Sequence, residues 1–190
     1  MASTRRIAFT TKEMAALGIL SAIGIVLGLW IMVPLIPSAS FLKYDPADIP
    51  IFIGSMMFGP LAGVLMTVVI SIVHSLFEGV SGISGLIMHI AATGVAAFVI
   101  GTLYRVKRTR VGSAVAVVCG ALAMTILMIP LNLIVTPLFM GVPVSAVVNL
   151  LIPAIIPFNL LKAGINGALA LALYHALVGS GVTAFVQVDK

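Results

Sequence analysis

Charge is what this sequence has least of. Of its 190 residues only ten are Lys or Arg and five are Asp or Glu, 8% in all, where soluble domains carry about 25%. So few charges cannot clothe a water-soluble globule, and that class is excluded. Cysteine is almost missing: Cys119 stands alone in an apolar run, which rules out an intrachain disulfide and a thiolate metal centre. No Gly-x-x-x-x-Gly-Lys-Ser/Thr segment occurs, so the chain does not hydrolyse ATP by the P-loop route. No carboxylate falls in the middle of an apolar span, which removes the usual proton or sodium relay of a secondary transporter. There is no internal repeat and no low-complexity tract. What remains is 62% hydrophobic residues at a mean hydropathy of +1.29, a membrane composition.

At about 20 residues per crossing, the chain has room for one compact all-α bundle of six transmembrane helices and no separate catalytic domain. The apolar runs place them at residues 11–37, 49–58, 61–77, 84–104, 111–135 and 151–178. The second is too short to span and is expected to be a half-length or tilted helix ending at Gly59-Pro60. Thr4-Arg5-Arg6-Ile7-Ala8-Phe9 and Ser38-Ala39-Ser40 have the look of a signal peptide's ends. The apolar stretch between them exceeds the roughly 7 to 15 residues of a signal's core, and a retained helix is expected.

Counting the short segment as a crossing puts Arg5, Arg6, Lys12, Arg105, Lys107, Arg108, Arg110 and Lys190 on one side. That side is cytoplasmic by the positive-inside rule, with both termini there. The net charge of +5 therefore belongs to membrane topology and not to nucleic acid. Lys43 and Lys162 break the rule, and each lies in a polar segment: Phe41-Leu42-Lys43-Tyr44-Asp45-Pro46-Ala47-Asp48 and Pro157-Phe158-Asn159-Leu160-Leu161-Lys162. These segments read as two walls of one outward-facing site, with Asp45, Asp48 and Glu78 on the same side.

Asn132 and Asn159 each follow a proline, Pro130 and Pro157, inside apolar sequence. An unpaired buried amide costs roughly 1 to 3 kcal/mol. Each therefore either bonds a carbonyl that its proline frees or faces a ligand. Asn159 and Lys162 share a helix face, and amides beside a donor-only ammonium suit a neutral ligand with alternating carbonyl and N–H groups. His89 is either a core histidine or pocket lining, His74 a helix-end residue and His175 a cytoplasmic interface residue. Gly82-Ile83-Ser84-Gly85 with His175 would suit an intramembrane serine protease. However, His175 lies 18 residues beyond Pro157, about 27 Å along a helix, too deep to activate a serine at the outer face. A flexible outer loop is the expectation for residues 82–85.

The order Phe41-Leu42-Lys43-Tyr44-Asp45-x-x-Asp48-Ile49-Pro50, Phe58-Gly59-Pro60-Leu61-Ala62-Gly63, Asn132-x-x-x-Thr136-Pro137-Leu138-Phe139-Met140-Gly141 and Pro157-Phe158-Asn159-Leu160-Leu161-Lys162 resembles the riboflavin-specific substrate-binding components, the RibU family, of energy-coupling-factor (ECF) vitamin transporters. The resemblance runs over essentially the whole chain. It implies a multi-pass cell-membrane protein that is not an enzyme and needs no cofactor, with riboflavin as its transported ligand and a coupling subunit and two ATPases as partners. It also implies that Asn132, Asn159 and Lys162 hold the polar edge of the isoalloxazine while Leu42, Lys43, Tyr44 and Asp45 close over it. Asp48, His89, Phe139 and Phe158 are further candidates for the lining, along with Phe41 and Met140. A sister component for another vitamin or a nucleobase-like solute is the alternative. The chain departs from the family pattern at Met66-Thr67 and Ile70-Ser71, where a Glu and a Lys-Asn pair are expected, and at His89, where an Asn is.

The first helix carries Ala15, Gly18 and Ala22 on one face and Gly24-x-x-x-Gly28 on another. Small residues let helices approach closely in a membrane. The resemblance assigns the first face, through Gly18-x-x-x-Ala22, to the coupling subunit; the second is expected to pack within the bundle.

Overall fold

The structure, a computed structural model, describes residues 9–78 and 80–181; Arg5, Arg6 and Lys190 lie outside them. It is an all-α membrane bundle. Among the described residues, five helical stretches are long and apolar enough to cross a bilayer, and a further apolar helix is shorter. Helix α1 (Thr11–Trp30) starts at a capping box in which Thr10 Oγ1 accepts from the Glu13 amide and the Glu13 carboxylate accepts from the Thr10 amide. It ends at Trp30 and not at residue 37. Pro34 and Pro37 have no N–H to continue the ladder and turn their preceding residues toward extended backbone. Val33–Pro34 (β1) instead pairs antiparallel with Lys43–Tyr44 (β2), Val33 opposite Tyr44 and Pro34 opposite Lys43, around a 3₁₀ turn at Pro37–Ala39. A small hairpin, not helix, thus stands over one end of the bundle.

Helix α2 (Asp48–Phe58) has 11 residues, every one buried, a rise of about 16 Å. It is the short helix expected from the sequence, packed among α1, α3 (Pro60–Glu78), α4 (Val80–Val106) and α7 (Ile156–Gly179). Gly59 makes the turn at φ 96°, a conformation that suits glycine. Arg105 Nη2 donates to the Phe58 carbonyl at 3.2 Å, which covers a carbonyl left over at the helix end.

Helix α4 begins at Val80, so Gly82–Gly85 is helical and not a loop. A Cβ at Gly82 would collide with the Ser75 backbone, so glycine there permits the tight α3–α4 approach. Helix α5 (Arg110–Met140) runs through Pro130 and Pro137 to a left-handed Gly141, φ 66°, beyond the boundary expected at residue 135. Proline ends a helix less reliably in a membrane, where neighbouring groups satisfy the freed carbonyls. The last crossing starts at α6 (Val144–Leu150) and passes through a π-turn at Leu151–Ile155 into α7, again earlier than the 151 expected. Pro153 lies in that turn, and π-turns recur at functional sites.

The two small-residue faces of α1 part company in the fold. Ser21, Gly24 and Gly28 are buried, while Ala15, Gly18 and Ala22 are exposed. A Cβ at Gly28 would strike the His74 ring, whose Nε2 lies 3.2 Å from the Ile25 carbonyl, whereas one at Gly18 would meet nothing within 4 Å. Gly28→Ala should therefore lower stability by about 1 to 3 kcal/mol through overpacking, with Gly18→Ala neutral or mildly stabilising. Thermal unfolding in detergent separates them; equal melting temperatures would place both glycines on open faces.

Candidate functional site

Beneath the hairpin, the helix ends on its side of the bundle line a cavity of about 940 Å³, at the upper end of the range for small-molecule sites. Leu29, Trp30, Phe41, Leu42, Met124, Met128, Phe139, Met140 and Phe158 supply apolar wall, and Lys43, Asp45, Ser71, His89, Thr93, Asn132, Asn159 and Lys162 supply polar atoms. Of the residues singled out in the sequence, Leu42, Lys43, Asp45, His89, Asn132, Phe139, Phe158, Asn159 and Lys162 meet on this cavity. Tyr44 and Asp48 stand behind its wall.

Each asparagine folds back on its own helix. Asn132 Nδ2 donates to the Met128 carbonyl and Asn159 Nδ2 to the Ile155 carbonyl, both at 2.8 Å, one turn earlier in each case. The oxygens differ. Asn132 Oδ1 accepts from Thr136 Oγ1 at 3.1 Å, but Asn159 Oδ1 is buried with no hydrogen-bond partner. A buried orphan acceptor costs about 1 to 3 kcal/mol and is seldom left in a native structure. Asn159, a residue of the cavity lining, thus carries a buried acceptor without a donor among the described residues.

Lys162, one turn along α7, is buried and ion-paired. Its Nζ lies 2.6 Å from Asp45 Oδ2 and 3.8 Å from Asp48 Oδ2. The pairing explains how a lysine is held in this buried place, since an unpaired buried ammonium would be very costly. Asp48 is completely buried and collects further donors: His89 Nε2 at 3.0 Å, Thr93 Oγ1 at 3.1 Å and Asn166 Nδ2 at 3.2 Å. His89 Nδ1 lies 2.7 Å from Ser71 Oγ, and Ser71 Oγ is also 2.6 Å from the Thr67 carbonyl. His89 is therefore both cavity lining and a partner of the core carboxylate. Of the departures from the family pattern at Met66-Thr67, Ile70-Ser71 and His89, Ser71 and His89 enter this array through their side chains and Thr67 through its backbone carbonyl.

Asn166 was not picked out by its sequence. Its Oδ1 accepts from the Tyr44 hydroxyl at 2.8 Å and its Nδ2 donates to the Asp45 carbonyl at 3.0 Å. The signal was there, because Asn159, Lys162 and Asn166 follow i, i+3, i+7 spacing on one helix face. Burial, and after it Asp45 and Asp48 against Lys162, raise the Tyr44 phenol above its ordinary pKa, so it stays protonated as a donor. At the opposite end of the bundle, His175 Nε2 lies 3.0 Å from Ser113 Oγ in the first turn of α5, far from Ser84 at the outer end of α4.

A family model for the ECF transporter substrate-specific component matches residues 12–174. The riboflavin transporter RibU of Streptococcus thermophilus is 30% identical over 175 residues, 87% of this chain and 82% of that protein. The riboflavin transporter FmnP of Bacillus subtilis is 30% identical over 162 residues, 80% of this chain and 84% of that one. Among solved structures, the S component of a bacterial ECF transporter superposes with a TM-score of 0.77 at 26% identity, over 88% of this chain and 96% of that chain. Matched in sequence and in fold over this length, the chain belongs to the substrate-specific components of ECF transporters, which carry solutes and are not enzymes.

Proposed function

We propose that this chain captures riboflavin from outside the cell and delivers it with a separate ECF coupling subunit and two ATPases. The observation that carries the reading is Asn159, a residue of the cavity lining whose Oδ1 is buried and has no hydrogen-bond partner among the described residues. Asn132, whose Nδ2 meets the Met128 carbonyl and, at 4.0 Å, the Met128 sulfur, and the Lys162 ammonium belong to the same lining, so an acceptor stands among donors. That pattern suits the N–H and two carbonyls on the uracil-like edge of the isoalloxazine. Leu42, Phe139 and Phe158, with Met124 and Met128, supply the apolar surface for the rest of the ring. Ser71, His89 and Thr93 supply polar atoms for the ribityl hydroxyls. Riboflavin is neutral, and Lys162 already has Asp45 and Asp48 to balance its charge, so it serves the ligand as a hydrogen-bond donor and not as a counter-ion. The named riboflavin transporters among its relatives support the same solute.

The exposed Ala15, Gly18 and Ala22 face of α1 is proposed to dock the coupling subunit, and both termini are proposed to be cytoplasmic. Because no nucleotide-binding segment or mid-span ion relay is present in the sequence, the purified chain reconstituted alone in liposomes should bind riboflavin yet accumulate none against a gradient, with ATP or an ion gradient supplied. Concentrative uptake of labelled riboflavin by the chain alone would overturn the capture role.

A further inference from the structure

We infer that Asn166 is a positioning residue that latches the outer loop shut and so sets how long the ligand stays bound; the inference rests on the riboflavin reading of the cavity. Asn166 is fully buried and does not line the cavity. Every hydrogen bond of its carboxamide goes to the loop and the start of α2: from Tyr44 Oη (2.8 Å), to the Asp45 carbonyl (3.0 Å) and to Asp48 Oδ2 (3.2 Å). One side chain of α7 thereby holds both ends of the segment 44–48. Asp45 Oδ1 closes that segment on itself by accepting from the Ala47 amide at 3.1 Å, while its other oxygen meets Lys162.

The cavity-lining Leu42 and Lys43 immediately precede this pinned segment. Leu42 is buried in one apolar cluster with Phe158 and Ile155 of the last crossing, and Lys43 pairs with Pro34 across the hairpin. For ligand to leave past Leu42, the hairpin must lift, and the bonds that resist lifting at its inner end are those of Asn166 and Lys162. Lys162 lines the cavity and so serves two roles. Asn166 and Tyr44 touch no cavity and act only on the latch. Removing them should open the loop more often, raising the dissociation rate while leaving the ligand's own contacts in place.

Stopped-flow flavin fluorescence on the purified full-length chain reads association and dissociation separately. Asn166→Leu should release riboflavin about tenfold faster or more and Tyr44→Phe about two- to tenfold faster, as expected for breaking buried hydrogen bonds. Association rates should stay within about twofold. The double variant should release no faster than about twice Asn166→Leu alone, because Tyr44 acts through Asn166. A ligand-free arm keeps the latch testable if riboflavin proves not to be the solute: in a Cys119→Ser background, Leu42→Cys should react with a maleimide about tenfold faster when Tyr44→Phe is added. Tyr44→Phe loses only a hydroxyl and keeps the fold even if Asn166→Leu does not. Parental release and parental labelling in Tyr44→Phe would overturn the latch, as would a loss of affinity carried by slower association.

Discussion

Asn159→Ala should weaken riboflavin binding by about 5- to 150-fold, roughly 1 to 3 kcal/mol, while leaving the free protein folded. The split follows from the bonds of that side chain. In the free protein Asn159 contributes one bond, to the Ile155 carbonyl of its own helix, and its oxygen contributes none. Truncation therefore removes an oxygen that has no partner among the described residues, the one proposed to accept from the ligand. Asn132→Ala should weaken binding over the same range, at a somewhat greater cost to stability, because its oxygen is already engaged by Thr136. Lys162→Ala belongs to another class. It takes a donor from the ligand and also strips Asp45 and Asp48 of their shared cation, and breaking a buried pair costs about 3 to 5 kcal/mol. Adding Asp45→Asn to Lys162→Ala should return part of the stability and none of the binding. Fluorescence titration beside thermal unfolding makes the comparison; parental affinity in all three single variants would move the ligand away from this wall.

Replacing both Gly18 and Ala22 by Trp should abolish co-purification with the coupling subunit and abolish uptake, with riboflavin affinity of the solitary chain kept within about threefold. Both positions are exposed, Gly18 faces open space, and neither lines the cavity. Indole rings there hold a partner helix off by several ångströms, which forfeits the close backbone approach that drives association where lipid is as apolar as the side chains. The buried Gly24 and Gly28 face is occupied by Pro50, Ile70 and His74 and is not available to a partner. Loss of riboflavin binding in parallel with loss of docking would show that the stripe supports the bundle and would send the search for the docking surface to another face.

Much of this was legible because membranes make sequence literal. Six apolar stretches, a basic loop at 105–110 and a Phe58-Gly59-Pro60 stop are each a direct consequence of hydrophobic thickness, topology and backbone sterics. The same clarity made Lys43 and Lys162 conspicuous, and with them the outer mouth. The misses share a cause as well. Residues 31–37 are apolar and read as helix, yet Pro34 and Pro37 hand them to a hairpin whose pairing with Lys43–Tyr44 is a tertiary event. The end expected at residue 135, just before Pro137, is a break that α5 does not make, since neighbouring groups decide whether a freed carbonyl is tolerated. Asn166 passed as one more amide in an apolar helix; its role depends on Tyr44, Asp45 and Asp48, more than a hundred residues away in sequence. His89 looked like a departure from the family pattern, and only the fold brings Asp48 and Ser71 to its two ring nitrogens.

The absorption and fluorescence of the purified protein bear most directly on riboflavin capture. Purified from riboflavin-containing medium, the chain should be yellow, carry flavin absorbance at close to one flavin per protein, release authentic riboflavin on denaturation, and quench added riboflavin with saturation at the same stoichiometry. A colourless protein that leaves riboflavin fluorescence unchanged at micromolar concentration would contradict it.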